Sequence, residues 1–138
     1  MEEVRVLLVD DEVEFADTLA KRMKKRKLIT SSVNSGEDAL EFLGQNPTDV
    51  VILDVKMPGI DGIQTLREIK QQYPLIEVIM LTGHANVEVA IQGMEIGAFD
   101  YLMKPMAIDD LVYKIQDAYK KKSIHVEKTK ERLQSSSG

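Results

Sequence analysis

The sequence predicts a doubly wound α/β domain, and three observations predict it. Short apolar runs recur along the chain, amphipathic helical segments lie between them, and the two kinds alternate strictly. Parallel strands joined by helices need right-handed crossovers, so this alternation selects an open parallel sheet covered on both faces.

The elements follow in order. VRVLLV (4–9) reads as the first strand. In residues 13–26 the apolar Phe15, Ala16, Leu19, Ala20 and Met23 fall three and four apart, giving one helical stripe. ITSSV (29–33) is a second, more polar strand; Ser35 and Asp38 then resemble a capping box, with Asp in place of the usual Glu or Gln, ahead of the helix opening ALEFL. DVVILD (49–54) is the third strand, and the helix over 61–72 carries Ile63, Leu66 and Ile69 and ends before Tyr73 and Pro74. EVIML (77–81) is the fourth strand; Val87, Ala90, Ile91 and Met94 form the stripe of a helix over 86–96 that Gly97 stops. FDYLM (99–103) is the fifth strand, and Ile108, Leu111, Val112, Ile115 and Tyr119 place the last helix over 107–122. The first, third and fourth strands are nearly unbroken in Val, Ile and Leu, as strands buried on both faces are, while the other two suit the edges. Residues 1–122 therefore make one domain, and 123–138 extend the last helix or form a disordered end.

Composition narrows the function. The chain has 138 residues, enough for one well-buried core, with 43% hydrophobic and 30% charged residues. No apolar run approaches the roughly 20 residues that span a bilayer. The first apolar run has no basic region before it, so a secretory leader is not expected. Cysteine is absent, which excludes disulfides and thiolate metal sites and fits a cytoplasmic location. A net charge of -5 argues against a dedicated nucleic-acid binder. The basic run KRMKKRK (21–27) is instead expected to be the solvated face and end of the first helix, where cations complement the helix dipole.

The chemistry collects at one edge. Asp10 and Asp11 follow the first strand, Asp54 closes the third, Thr82 follows the fourth and Lys104 follows the fifth. In a parallel sheet these are the carboxyl ends of the strands, where α/β proteins build their sites. Each alone has a plainer reading, as a cap, a turn or an exposed Lys-Pro corner; the grouping is what counts. Carboxylates crowded together repel one another unless a cation lies among them. Hard oxygen ligands without sulfur or histidine suit Mg²⁺, which is content with one or two carboxylates, waters and phosphate oxygens. A lysine can pair with a carboxylate or a phosphoryl group, and a hydroxyl at Thr82 can donate to a phosphoryl oxygen. The set is suited to holding a phosphoryl group on a carboxylate.

VLLVDDE, ILDVKMPGIDG, MLTGHA and FDYLMKP, in this order and spacing, resemble the signature segments of response-regulator receiver domains, including single-domain, chemotaxis-type members. The resemblance covers residues 4–121. It implies a flavodoxin-like α/β/α fold with a five-stranded parallel sheet in the order 2-1-3-4-5. It implies Asp54 as phosphoryl acceptor, with Mg²⁺ bound by Asp11, Asp54 and the backbone carbonyl of Lys56, and by Asp10 through water. Thr82 and Lys104 would contact the phosphoryl group. Thr82 and Tyr101 would form the switch, and Lys104-Pro105 matches the family's cis peptide. Lys56 and His84 occupy positions that vary in the family; there they are expected to hinder the attacking water and tune the phosphoryl lifetime, which dephosphorylation rates of variants would test. Met106 and Ala107 replace the acidic cap often seen after the Lys-Pro pair.

The implied partners are a histidine kinase or histidine phosphotransfer protein upstream. Downstream, a protein or second copy would dock on the face of the fourth helix, fifth strand and fifth helix, with Val89, Ile96 and Tyr113 as contacts. Neither nucleic acid nor membrane is expected to bind this chain, and it would act on itself rather than as a turnover enzyme. The alternatives are a receiver belonging to a longer transcriptional regulator with a DNA-binding or ATPase module, an aspartyl phosphohydrolase, and a receiver that binds without phosphorylation. The hydrolases generally need an acid two residues after the nucleophile, where this chain has Lys56. A complete site argues against the last.

Overall fold

The computed structural model describes residues 3–55, 61–83 and 87–137. Among these, strands and helices alternate as β1 (Arg5–Val9), α1 (Val13–Lys25), β2 (Ile29–Val33), α2 (Gly36–Gln45), β3 (Val50–Asp54), α3 (Gly62–Gln72), β4 (Glu77–Thr82), α4 (Val87–Ile96), β5 (Asp100–Met103) and α5 (Ile108–Ser137). The strands form one parallel sheet in the order β2-β1-β3-β4-β5. This is the flavodoxin-like order expected, with the two polar strands at the edges.

The pleat divides the core in two. Val6, Leu8, Ile52, Ile79 and Leu81 face α1 and α5, where they meet Leu19, Met23, Leu111 and Ile115. Their neighbours along the strands, Leu7, Val9, Val51, Leu53, Val78 and Met80, face the other way, onto Leu43, Leu66 and Ile69 of α2 and α3. Every residue of β3 and β4 is buried, which explains their unbroken apolar runs. Each such Leu or Ile contributes about 1.5–3 kcal/mol by leaving water.

Local signals set the helix ends. The Ser35 hydroxyl accepts the Asp38 N–H at 3.1 Å and caps α2. The Asp61 carboxylate accepts the Gln64 N–H at 2.8 Å and caps α3. Basic residues fill the last turn of α1, Met23 stays buried, and Arg26 pairs with Asp109 at the start of α5.

The structure corrects the reading of α4. Its stripe of Val87, Ile91 and Met94 does not face the sheet: all three are exposed, Val87 at 71%. The buried side is centred on Gly93, where a Cβ would run into the Met80 thioether, so the missing side chain lets the helix approach β4 closely. The last helix carries on past residue 122 to Ser137, the first of the two alternatives expected for the end of the chain. No helix of the described residues is long and apolar enough to cross a membrane.

Candidate active site

Strand register assembles the site. Val9 lies opposite Leu53, so the next residues, Asp10 and Asp54, come out side by side at the ends of β1 and β3. Asp54 in turn is opposite Leu81, and Thr82 opposite Met103, which brings in Thr82 and the residue after β5, Lys104. The Lys104 N–H donates to the Thr82 carbonyl at 2.7 Å, closing the row. Asp10, Asp54 and Thr82 are buried.

Asp10 is held from several sides. Its N–H donates to the Val33 carbonyl at 3.1 Å, and its own carbonyl accepts Asn34 Nδ2 at 2.9 Å. Oδ1 accepts the Glu12 N–H at 2.9 Å, and Oδ2 accepts Lys104 Nζ at 2.7 Å. The same ammonium lies 3.3 Å from Glu12 Oε1, 3.8 Å from Asp54 Oδ2 and 4.2 Å from the centre of the Phe15 ring. Burial lowers the Lys104 pKa, but the hydrogen bond it donates to Asp10, the charges of Asp10 and Asp54 and the hydrogen bond it donates to Glu12 outweigh it, leaving the ammonium above the usual lysine value.

Carboxylate oxygens of Asp10, Glu12 and Asp54 all fall within 4.8 Å of one another. An all-oxygen donor set with three acids around one lysine fits a hard divalent cation such as Mg²⁺. Asp11, expected beside Asp54, is exposed and is not one of these three. Glu12, the third acid in the run, supplies the third carboxylate although its side chain is itself exposed, and the sequence alone does not say which of the two acids comes within reach of Asp10 and Asp54.

Tyr101 is half-buried and lines a groove of ≈ 490 Å³ with Ala90, Ile91, Met94, Glu95 and Asp100. The Lys104-Pro105 peptide is cis. Lys56 and His84, with the Lys56 carbonyl, lie outside the described residues. Of the expected docking contacts Tyr113 is exposed, whereas Val89 and Ile96 are half-buried; Val87, Ile91, Met94 and Met103 supply the exposed apolar surface beside it. Gly62 has a local reason that the turn-rich MPGIDG segment does not reveal. Its N–H donates to the Val55 carbonyl at 3.3 Å, and a Cβ there would sit 2.6 Å from the Asp54 carbonyl oxygen, so a side chain would displace the acceptor strand's end.

The family model for the response regulator receiver domain matches residues 6–116. The chain belongs to this family. The receiver is 35% identical over 113 residues to the DNA-binding transcriptional regulator NtrC of Escherichia coli K12, covering 82% of this chain and 24% of that protein. It is likewise 35% identical over 123 residues to the regulatory protein AtoC of the same organism, covering 89% of this chain and 27% of AtoC. Among solved structures, a receiver domain protein from Clostridium thermocellum superimposes with a TM-score of 0.83 at 36% identity, covering 88% of this chain and 98% of that one. NtrX from Brucella abortus in complex with ADP gives a TM-score of 0.87 at 30% identity, covering 93% of this chain and 30% of NtrX. The receiver thus spans about a quarter of the length of the curated relatives it matches.

Proposed function

We propose that this receiver accepts a phosphoryl group onto Asp54 from the phosphohistidine of a histidine kinase or histidine phosphotransfer protein. The observation that carries the reading is the buried Asp54 carboxylate with the Lys104 ammonium 3.8 Å away and the Asp10 and Glu12 acids within 4.8 Å. A carboxylate oxygen of Asp54 attacks phosphorus in line, the P–N bond to imidazole breaks, and the departing imidazole keeps the electron pair and takes up a proton. Lys104 pairs with the phosphoryl oxygens, and the Thr82 hydroxyl donates to one of them. Asp10, Asp11, Asp54 and the Lys56 carbonyl would hold Mg²⁺; when bound, it neutralises charge on the transferring group. The chain acts on itself rather than turning over a substrate, and it works in the cytoplasm.

Phosphorylation adds roughly two negative charges to the crevice, enough to bias a two-state element. Thr82 drawn to the phosphoryl group and Tyr101 moving with it would repack the face of α4, β5 and α5, where a downstream protein or second copy docks. A second reading is that this receiver governs an output module of a longer regulator, DNA-binding or ATPase. It is supported by the relatives NtrC and AtoC, of which the receiver covers 24% and 27%.

Incubation with Mg²⁺ and a small acyl phosphate or phosphoramidate tests the reading. Phosphate labile to base and hydroxylamine, as an acyl phosphate is, is expected on the parent and is abolished in Asp54→Asn. An unlabelled parent with a competent donor would sink the proposal, and sustained turnover of phosphoesters would make the chain a hydrolase instead.

A further inference from the structure

In the reaction above, Asp10 has two claims on it. Its Oδ2 holds the Lys104 ammonium at 2.7 Å, yet the same carboxylate is needed by the cation, whose charge also repels the lysine. A lysine released by Asp10 would keep only its longer 3.8 Å contact with Asp54, a carboxylate the cation also needs, unless something else retained it. Two groups are already in place. Glu12 Oε1 lies 3.3 Å from Nζ, and the Phe15 ring lies beneath it at 4.2 Å. Glu12 is the N-cap of α1 and Phe15 stands in its first turn. Phe15 is half-buried and packs against the core shared by α1 and α5, so the ring is a fixed platform. It also lines a small apolar cavity of ≈ 150 Å³ with Pro105, the residue after the lysine. An ammonium over an aromatic face is attracted by the ring quadrupole, with no carboxylate to be lost to a metal.

We propose that the Phe15 ring and the Glu12 carboxylate, together at the start of α1, form a second mooring for Lys104 that keeps its ammonium beside Asp54 when Asp10 turns to a cation. Phe15 is then a positioning residue acting through Lys104. The proposal rests on the phosphoacceptor reading of Asp54, and the test separates the two.

Lysine side chains labelled for NMR report the ring directly, with Lys104→Met assigning the signal. The Lys104 ε-methylene should be shifted upfield by the Phe15 ring current, and the shift should persist when Mg²⁺ alone is added until the Asp10 amide stops responding. It should vanish in Phe15→Leu and return in Phe15→Tyr. With Mg²⁺ and a small phosphodonor at saturation, Phe15→Leu should phosphorylate about three- to tenfold more slowly, with Phe15→Tyr restoring the rate. Glu12→Gln should lower it less, because that side chain is exposed and its pair is screened. Loss of the parent's ring-current shift on adding Mg²⁺ overturns the mooring. So does equal phosphorylation of the Leu and Tyr variants, or an Asp10 amide indifferent to Mg²⁺. A parent that keeps the shift under Mg²⁺ but takes no phosphate supports the mooring and overturns the phosphoacceptor reading.

Discussion

The two edges of the sheet both bury acids beside lysines, and they balance them differently. At the carboxyl edge, Asp10, Glu12 and Asp54 crowd within 4.8 Å around the ammonium of Lys104. At the amino edge, acids and lysines are matched. Asp49 pairs with Lys122 and also accepts the Arg5 N–H at 2.8 Å, and the buried Glu77 that opens β4 lies 3.5 Å from Lys121. Glu77 Oε2 makes no hydrogen bond among the described residues, so that attraction is electrostatic alone. The difference teaches what each edge is for. An excess of negative charge leaves work for a cation, whereas matched charge clamps one element to another, here α5 to the base of the sheet.

Removing the lysines of each edge in turn should expose the contrast. Lys104→Met leaves buried carboxylates facing one another, and denaturant unfolding without Mg²⁺ should show a loss of about 3–5 kcal/mol, largely recovered in saturating Mg²⁺. Stability that is unchanged, or that Mg²⁺ does not restore, would erase the distinction. At the amino edge, the double change Lys121→Met and Lys122→Met removes partners that are themselves partly exposed. A smaller loss of about 1–2 kcal/mol is expected, with no change in the response to Mg²⁺.

The smallest effect is a difference in alkaline titration. Lys104 has its pKa raised above 10.5, so the native state holds its proton more tightly than the unfolded chain does. Its contribution is complete below 10.5 and is lost as pH climbs through the raised value. Lys70, near the amino edge, is pushed the other way: burial lowers its pKa, Glu77 partly opposes this, and Lys121 adds to it. Between that lowered value and 10.5 the unfolded chain binds the proton better, so stability rises with pH as the cost of a buried ammonium is relieved. Alkaline unfolding series of Lys104→Met and Lys70→Met should therefore differ from the parent with opposite slopes. Slopes of the same sign would contradict the assignment.

Much of this was legible in the residues. β1, β3 and β4 read as central because helices cover them on both sides, and ITSSV and FDYLM read as edges because water reaches one flank. Asp10, Asp54, Thr82 and Lys104 declared themselves by ending strands, since topology alone carries all such positions to one edge. What escaped depended on rotation. α4 is apolar around much of its circumference, so periodicity did not reveal which side the Gly93–Met80 approach would bury. Which of Asp11 and Glu12 brings a carboxylate within reach of Asp10 and Asp54 depends on how the chain turns into α1, which periodicity does not give. Phe15 looked like ordinary core, and its position under Lys104 comes from a contact 89 residues away along the chain. Glu77 opens a strand, where a charge is expected to reach solvent, and only packing shows that it does not.

The length of α5 has a mechanical consequence. The helix starts four residues after Lys104, is tied down midway by Lys121 and Lys122, and continues to Ser137. Thirty residues at 1.5 Å each make a rod of about 45 Å, of which about 23 Å lies beyond Lys122, so every degree of tilt about that tie sweeps the tip through about 0.4 Å. With a fulcrum at the amino edge the two arms are nearly equal, so an adjustment next to the lysine reappears at the far end reversed in direction and similar in size. Stiffening or loosening the Glu77 and Asp49 pairs would set how firmly that pivot holds without touching Asp54.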